Sequence, residues 1–167
     1  MGNYLGLPLL ALAAVLQATV MPQFRVLGGE PDLGFLLVLA WAIHAPLEQG
    51  VVWAFVGGIL QDLLSLAPTG ASVVGMVLIV FLIDLVRGQF YRVGLLLIAA
   101  FVIAGTIIHQ LAFMGIIAVT GYTVHIFDNL FFVTAPTLIY NLILIWPVYL
   151  IVRMMQRGAQ YRHRSAP

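Results

Sequence analysis

"GVVWAFVGGILQDLLSLAPTGASVVGMVLIVFLID", residues 50–84, consists of two apolar runs joined by a proline and glycine turn, with Gln61 and Asp62 one turn before the first run ends. An acid at that place poses a solvent problem, because the residues around it offer water almost nothing. The rest of the chain extends the pattern: of 167 residues 63% are hydrophobic and 8% charged, and the mean hydropathy is +1.11. A soluble domain does not hide apolar faces on nearly every segment with so few charges. The bilayer is therefore the expected solvent, and the fold class is all-α, a polytopic membrane protein.

A helix needs roughly 20 apolar residues to cross about 30 Å of hydrocarbon. Five runs of that order are read as spans: Tyr4 to Phe24, Gly50 to Leu66, Ala71 to Val86, Val93 to Thr120 and Leu130 to Val152. A sixth, Leu33 to Ala45, is short and lies between Pro31-Asp32 and Pro46, so it either crosses a thinned bilayer or re-enters. Crossing is preferred, since the run is almost uniformly apolar and lacks a glycine-rich tip. No Lys or Arg precedes the first run, which is read as an anchor and not a cleaved signal. The division expected is a transmembrane helical domain over 1–156 and a basic cytoplasmic tail over 157–167, frayed beyond Gln156.

Charge placement bears on orientation, because short loops rich in Lys and Arg stay cytoplasmic. With six spans and the N-terminus inside, Arg87, Arg92, Arg153, Arg157, Arg162 and Arg164 fall inside and Arg25 outside. With five spans and the N-terminus outside, all seven Arg fall inside, so both arrangements satisfy the rule. In either, Arg153, Arg157, Arg162 and Arg164 are expected at the membrane surface, where each attracts anionic headgroups by about 1 kcal/mol. Seven Arg against six acids, without Lys, leaves no nucleic-acid face. The absence of Cys excludes disulfides, thiolate metal sites and cysteine nucleophiles.

Polar groups inside the spans each need a partner, since an ionisable group at mid-bilayer costs at least about 2.5 kcal/mol. Ala54, Gly58, Asp62 and Ser65, spaced by four, four and three, form one helix face flanked by Gln61. A small-residue face admits a close helix neighbour, and Gln61 and Asp62 at its outer end suit a partner contact or the wall of an external cavity. The bland alternative is an acid that ends the span among headgroups. Asp84 and Arg87 read as a local ion pair, His109 as a packed, hydrogen-bonded histidine ahead of a ligand or proton relay, and Asn141 as a partner for carbonyls freed by Pro136. No HExxH, GxSxG or P-loop is present, so no catalytic residue is assigned. Glu30, Asp32, Asp62 and Asp128 gather externally in the six-span arrangement, but interfacial acids are usually solvated, and neither metal nor cofactor is expected.

The order of these features resembles a known family. "PDLGFLLVLAWAI" at 31–43, a polar hinge, and then the opening stretch with Gly57, Gly58, Asp62, Leu63, Leu64, Pro68 and Gly70 are similar to the bacterial rod shape-determining MreD family. The likeness is specific over Pro31 to Gly88 and general afterwards, and the bare N-terminus and longer Arg-rich tail depart from it. The resemblance implies a non-catalytic scaffold or regulatory subunit of the cell-elongation (rod) complex in the bacterial inner membrane, with both termini cytoplasmic, supporting lateral peptidoglycan synthesis. Implied partners are an MreC-like single-span protein and, with it, a RodA-like SEDS glycosyltransferase, a class B penicillin-binding transpeptidase and an MreB-like actin homologue. The family is also similar in fold to the substrate-binding S components of energy-coupling-factor transporters. That second likeness implies the rival function, a subunit binding a small molecule or lipid.

Overall fold

The computed structural model describes residues 6–25, 28–65, 68–87, 94–121 and 130–164, without the side chains of 130 and 157–164. Its helices are α1 (Gly6–Thr19), α2 (Leu33–Ala42), α3 (Leu47–Leu64), α4 (Ala71–Arg87), α5 (Leu95–Val119) and α6 (Ala135–Arg164). The all-α expectation holds, but several boundaries move for local reasons. Pro22 turns the end of the first run into a 3-10 turn, Met21–Phe24, so α1 has 14 residues. Pro46 caps α3, which begins three residues before the expected Gly50. Leu130–Thr134 forms a π turn, and α6 starts at Ala135 with Pro136 in its first turn, where a missing N–H costs nothing. At the other end α6 continues to Arg164, a correction to the expected fraying beyond Gln156.

Two helical stretches, Leu95–Val119 and Phe131–Gln156, are each long and apolar enough to cross a membrane unaided. The short α2 lies at the centre. It is apolar on every side, and Phe35, Leu36, Val38, Leu39 and Ala40 have no exposed surface, because α1, α3, α4, α5 and α6 surround it. A helix enclosed by other helices meets no lipid and need not match the bilayer thickness.

Hydrogen bonds fix the direction of α2. Its first turn touches Asn141 of α6, through the Asp32 N–H donated to Asn141 Oδ1 at 3.0 Å. Its far end touches Gln156 of the same helix, which donates to the Trp41 carbonyl at 3.4 Å. Those two positions on α6 are about 22 Å apart, so the segment traverses the bundle and does not turn back. Arg87 secures the far end by donating to the carbonyls of Ala42 and Ala45, the last acceptors of α2 and its exit turn. The expected Asp84–Arg87 ion pair is not formed; Nη2 of Arg87 is turned to these carbonyls instead. At the same end Trp41 stacks on Trp53 at 3.8 Å and His44 bonds Tyr149 Oη at 2.8 Å, so both tryptophans pack internally.

Candidate functional site

At the opposite end, the C-terminal ends of α1 and α3, the second half of α5 and the N-terminal ends of α2, α4 and α6 surround a polar cleft of about 630 Å³. Its lining includes Gln17, Glu30, Asp32, Gln61, Ser65 and His109, with Phe113, Ile117 and Val133 as an apolar wall. Asp32 forms the floor. It caps α2, accepting from the Phe35 N–H at 3.0 Å through Oδ1, which also accepts from Gln61 Nε2 at 3.3 Å. Its other oxygen lies 3.3 Å from His109 Nε2, and the imidazole stacks on Phe35 with ring centres 5.3 Å apart. Asp32 is 8% exposed and His109 5%, so this carboxylate and imidazole meet almost out of water.

A second layer of polar side chains holds the floor in place. Asn141, having accepted from the Asp32 N–H, donates through Nδ2 to Thr106 Oγ1 at 3.1 Å. It therefore joins α2, α5 and α6 and does not serve carbonyls freed by Pro136, as the sequence reading expected. Gln17 donates to the Pro31 carbonyl at 2.8 Å and accepts from the Leu33 N–H at 2.9 Å, pinning α1 to the entry of α2. Thr137 accepts from the Glu30 N–H at 3.2 Å, and at the rim Glu30 pairs with Arg25 at 2.8 Å. Buried polar groups in a membrane protein are expected to be satisfied internally, and these largely are.

The question raised by Asp62 has a definite answer. Its carboxylate, 2% exposed, accepts from the Gly70 N–H at 2.7 Å and from the Ser72 N–H at 3.1 Å through one oxygen and 3.3 Å through the other. The acid at the end of α3 is thus the anchor for the N-terminus of α4, where free N–H groups and the helix dipole favour a negative charge. Gly70 permits the geometry with a φ of +100°, open to glycine at no steric cost.

The other residues expected at a partner contact divide in two. Ala54 and Gly58 are enclosed within the chain: Ala54 has no exposure, and a Cβ added at Gly58 would sit 2.7 Å from the Val73 backbone. The close helix neighbour predicted for this face is α4 itself. Gln61 and Ser65 stay at the cleft and its mouth. Arg153 is exposed at the α6 end away from the cleft, while the side chains of Arg157, Arg162 and Arg164 lie outside the described residues, as does Asp128. Of the four acids expected on the external side, the three described ones make separate contacts: Glu30 with Arg25, Asp32 with Gln61 and His109, and Asp62 with the N-terminus of α4. Among the described residues no three His, Cys, Asp or Glu side chains converge as metal ligands. The Asp32–His109 pair escaped sequence reasoning, since only tertiary packing of α2 against α5 brings it together; Asp32 was read as a border of the short apolar run and as one of the external acids.

A family model described as rod shape-determining protein MreD matches residues 2–158, nearly the whole chain. No curated protein and no solved structure matches.

Proposed function

The chain belongs to the MreD family of rod shape-determining proteins, and from that premise we propose that it is a non-catalytic membrane scaffold of the cell-elongation complex. The observation that carries this reading is the family match across residues 2–158, which takes in α1 to α5 whole and α6 as far as residue 158. Its proposed partner is an MreC-like single-span protein. Through it the subunit would support a RodA-like glycosyltransferase with its class B transpeptidase, alongside an MreB-like filament.

Six crossings with both termini cytoplasmic are the proposed topology. The traverse of α2 supports an even count, and Arg87 and Arg153 share the end away from the cleft, which the positive-inside rule assigns to the cytoplasm. The tail arginines Arg157, Arg162 and Arg164 would then meet anionic headgroups on that side. Because the chain has no Cys, single-cysteine labelling is clean. Cysteines at positions 3 and 160 should both react only from inside, and external labelling of position 3 alone would restore five spans.

The partner contact is proposed at the cleft-facing half of α3, where Gln61 and Ser65 are reachable and a polar pair selects register. Ala54, Gly58 and Asp62 would contribute from beneath, by holding α3 on α4. Cysteines at 61 and 65 are expected to crosslink in membranes to a single-span protein, and those at 54 and 58 are not. Adducts from the outer positions 55 or 63 instead would move the interface to the apolar face of α3.

A second reading is favoured by the cleft, which falls in the usual size range of small-ligand sites. In it the protein binds a small molecule or lipid, as an S component does. Gln61 and Ser65 line this cleft as well, so a bound ligand and a partner helix would meet at the same residues.

A further inference from the structure

We propose that the cleft receives an organic ammonium group at Asp32, with the carbon body of the ligand along Phe113, Ile117 and Val133. This rests on the ligand-binding reading and names its chemistry.

Nε2 of His109 faces Asp32, and its Nδ1 has no hydrogen-bond partner and lies against α4, where a Cβ added at Gly75 would stand 2.5 Å away. An ionised carboxylate only accepts, so Nε2 is the nitrogen that donates to Asp32. The guanidinium of Arg25 is engaged by Glu30 at the rim, and Asp62 has its own two N–H donors outside the floor. Among the described residues Arg25, Glu30, Asp32 and His109 are the ionisable groups lining the cleft, and Asp32 is the carboxylate among them with no arginine beside it.

A nearly buried carboxylate in a membrane protein calls for a counter-charge. Oδ2 of Asp32, with the His109 imidazole as its one neighbour at 3.3 Å, has lone pairs left to accept again. A bare metal ion fits poorly, since among the described residues no set of three ligands exists and the cavity is far larger than an ion. A cation bearing N–H donors and carbon fits the charged floor and the apolar wall together. Two sources share this chemistry, an ethanolamine lipid headgroup and a free amine.

The test is native mass spectrometry of the delipidated full chain offered equal amounts of phosphatidylethanolamine, phosphatidylcholine and phosphatidylglycerol. Retention of the ethanolamine lipid over the choline lipid by about tenfold is expected, since methylation removes the N–H donors of one charge-assisted contact. Asp32→Asn, which keeps an effective cap on α2, should abolish the preference, and Glu48→Gln, an exposed acid in the first turn of α3 outside the cleft, should not. Should the lipids bind equally, melting with hexylamine against hexanol decides: stabilisation by the amine alone, lost in Asp32→Asn, assigns a free amine. Preference for phosphatidylglycerol that depends on the cleft overturns the ammonium while leaving a binding cavity. Absence of both preferences, or a preference that survives in folded Asp32→Asn, overturns the proposal. If Asp32→Asn does not fold, the comparison of ethanolamine with choline lipid, and of hexylamine with hexanol, in the wild-type chain decides.

Discussion

Asp62→Leu is expected to lose most of the protein from the membrane, not merely its activity. The substitution strips the part-buried Gly70 N–H and the buried Ser72 N–H of their acceptor and removes the charge that faces the α4 dipole. Each orphaned donor costs about 1–3 kcal/mol, so up to about 6 kcal/mol is lost, less where water reaches the Gly70 N–H. A loss of that size lowers steady-state abundance several-fold. Asp62→Asn keeps one acceptor oxygen and should retain a clear majority of the protein. The readout is the amount and melting temperature of each variant in purified membranes. Wild-type abundance of Asp62→Leu with failed partner binding would instead make the carboxylate part of a partner surface.

The second large effect is expected at Gly58. A valine there would drive its Cβ to 2.7 Å from the Cα of Val73 and 2.8 Å from its nitrogen, and backbone does not yield as a flexible side chain does. Overpacking of this kind costs about 1–3 kcal/mol and more where helices must separate. Because α3 and α4 share both this crossing and the Asp62 anchor, parting them also weakens the cap, so Gly58→Val should lower the melting temperature by about 5–10 °C. Gly115→Ala is the control. No neighbouring atom lies within 4 Å of its added Cβ, and removing a helix-interior glycine is mildly stabilising. Equal melting of Gly58→Val and wild type would show that α3 and α4 do not cross here.

What the sequence made legible was what depends on local spacing. The apolar runs announced the helices, Pro46 marked a break, and the stripe of Ala54, Gly58 and Asp62 announced a close helix contact, whereas Pro22 and Pro136 lay inside runs read as unbroken. The identity of the neighbour was not legible, because a small-residue stripe fits a helix of the same chain as well as a partner's. Arg87 misled for a similar reason: an acid three residues away suggested a local pair, whereas the carbonyls it serves belong to α2, brought near only by the tertiary fold. The floor of the cleft was the least accessible. Asp32, Asn141, Thr106 and His109 come from three helices, and no periodicity within one of them records the others.

The central claim is that this MreD-family chain works as a scaffold of the rod complex, and capture of the full-length protein from native membranes tests it most directly, with every stoichiometric companion identified. The account predicts an MreC-like single-span protein at about one copy per chain, retained when the cleft floor carries Asp32→Asn in a variant shown to be folded. Recovery of the protein alone, or with the ATPase and coupling subunits of a transporter, would contradict it.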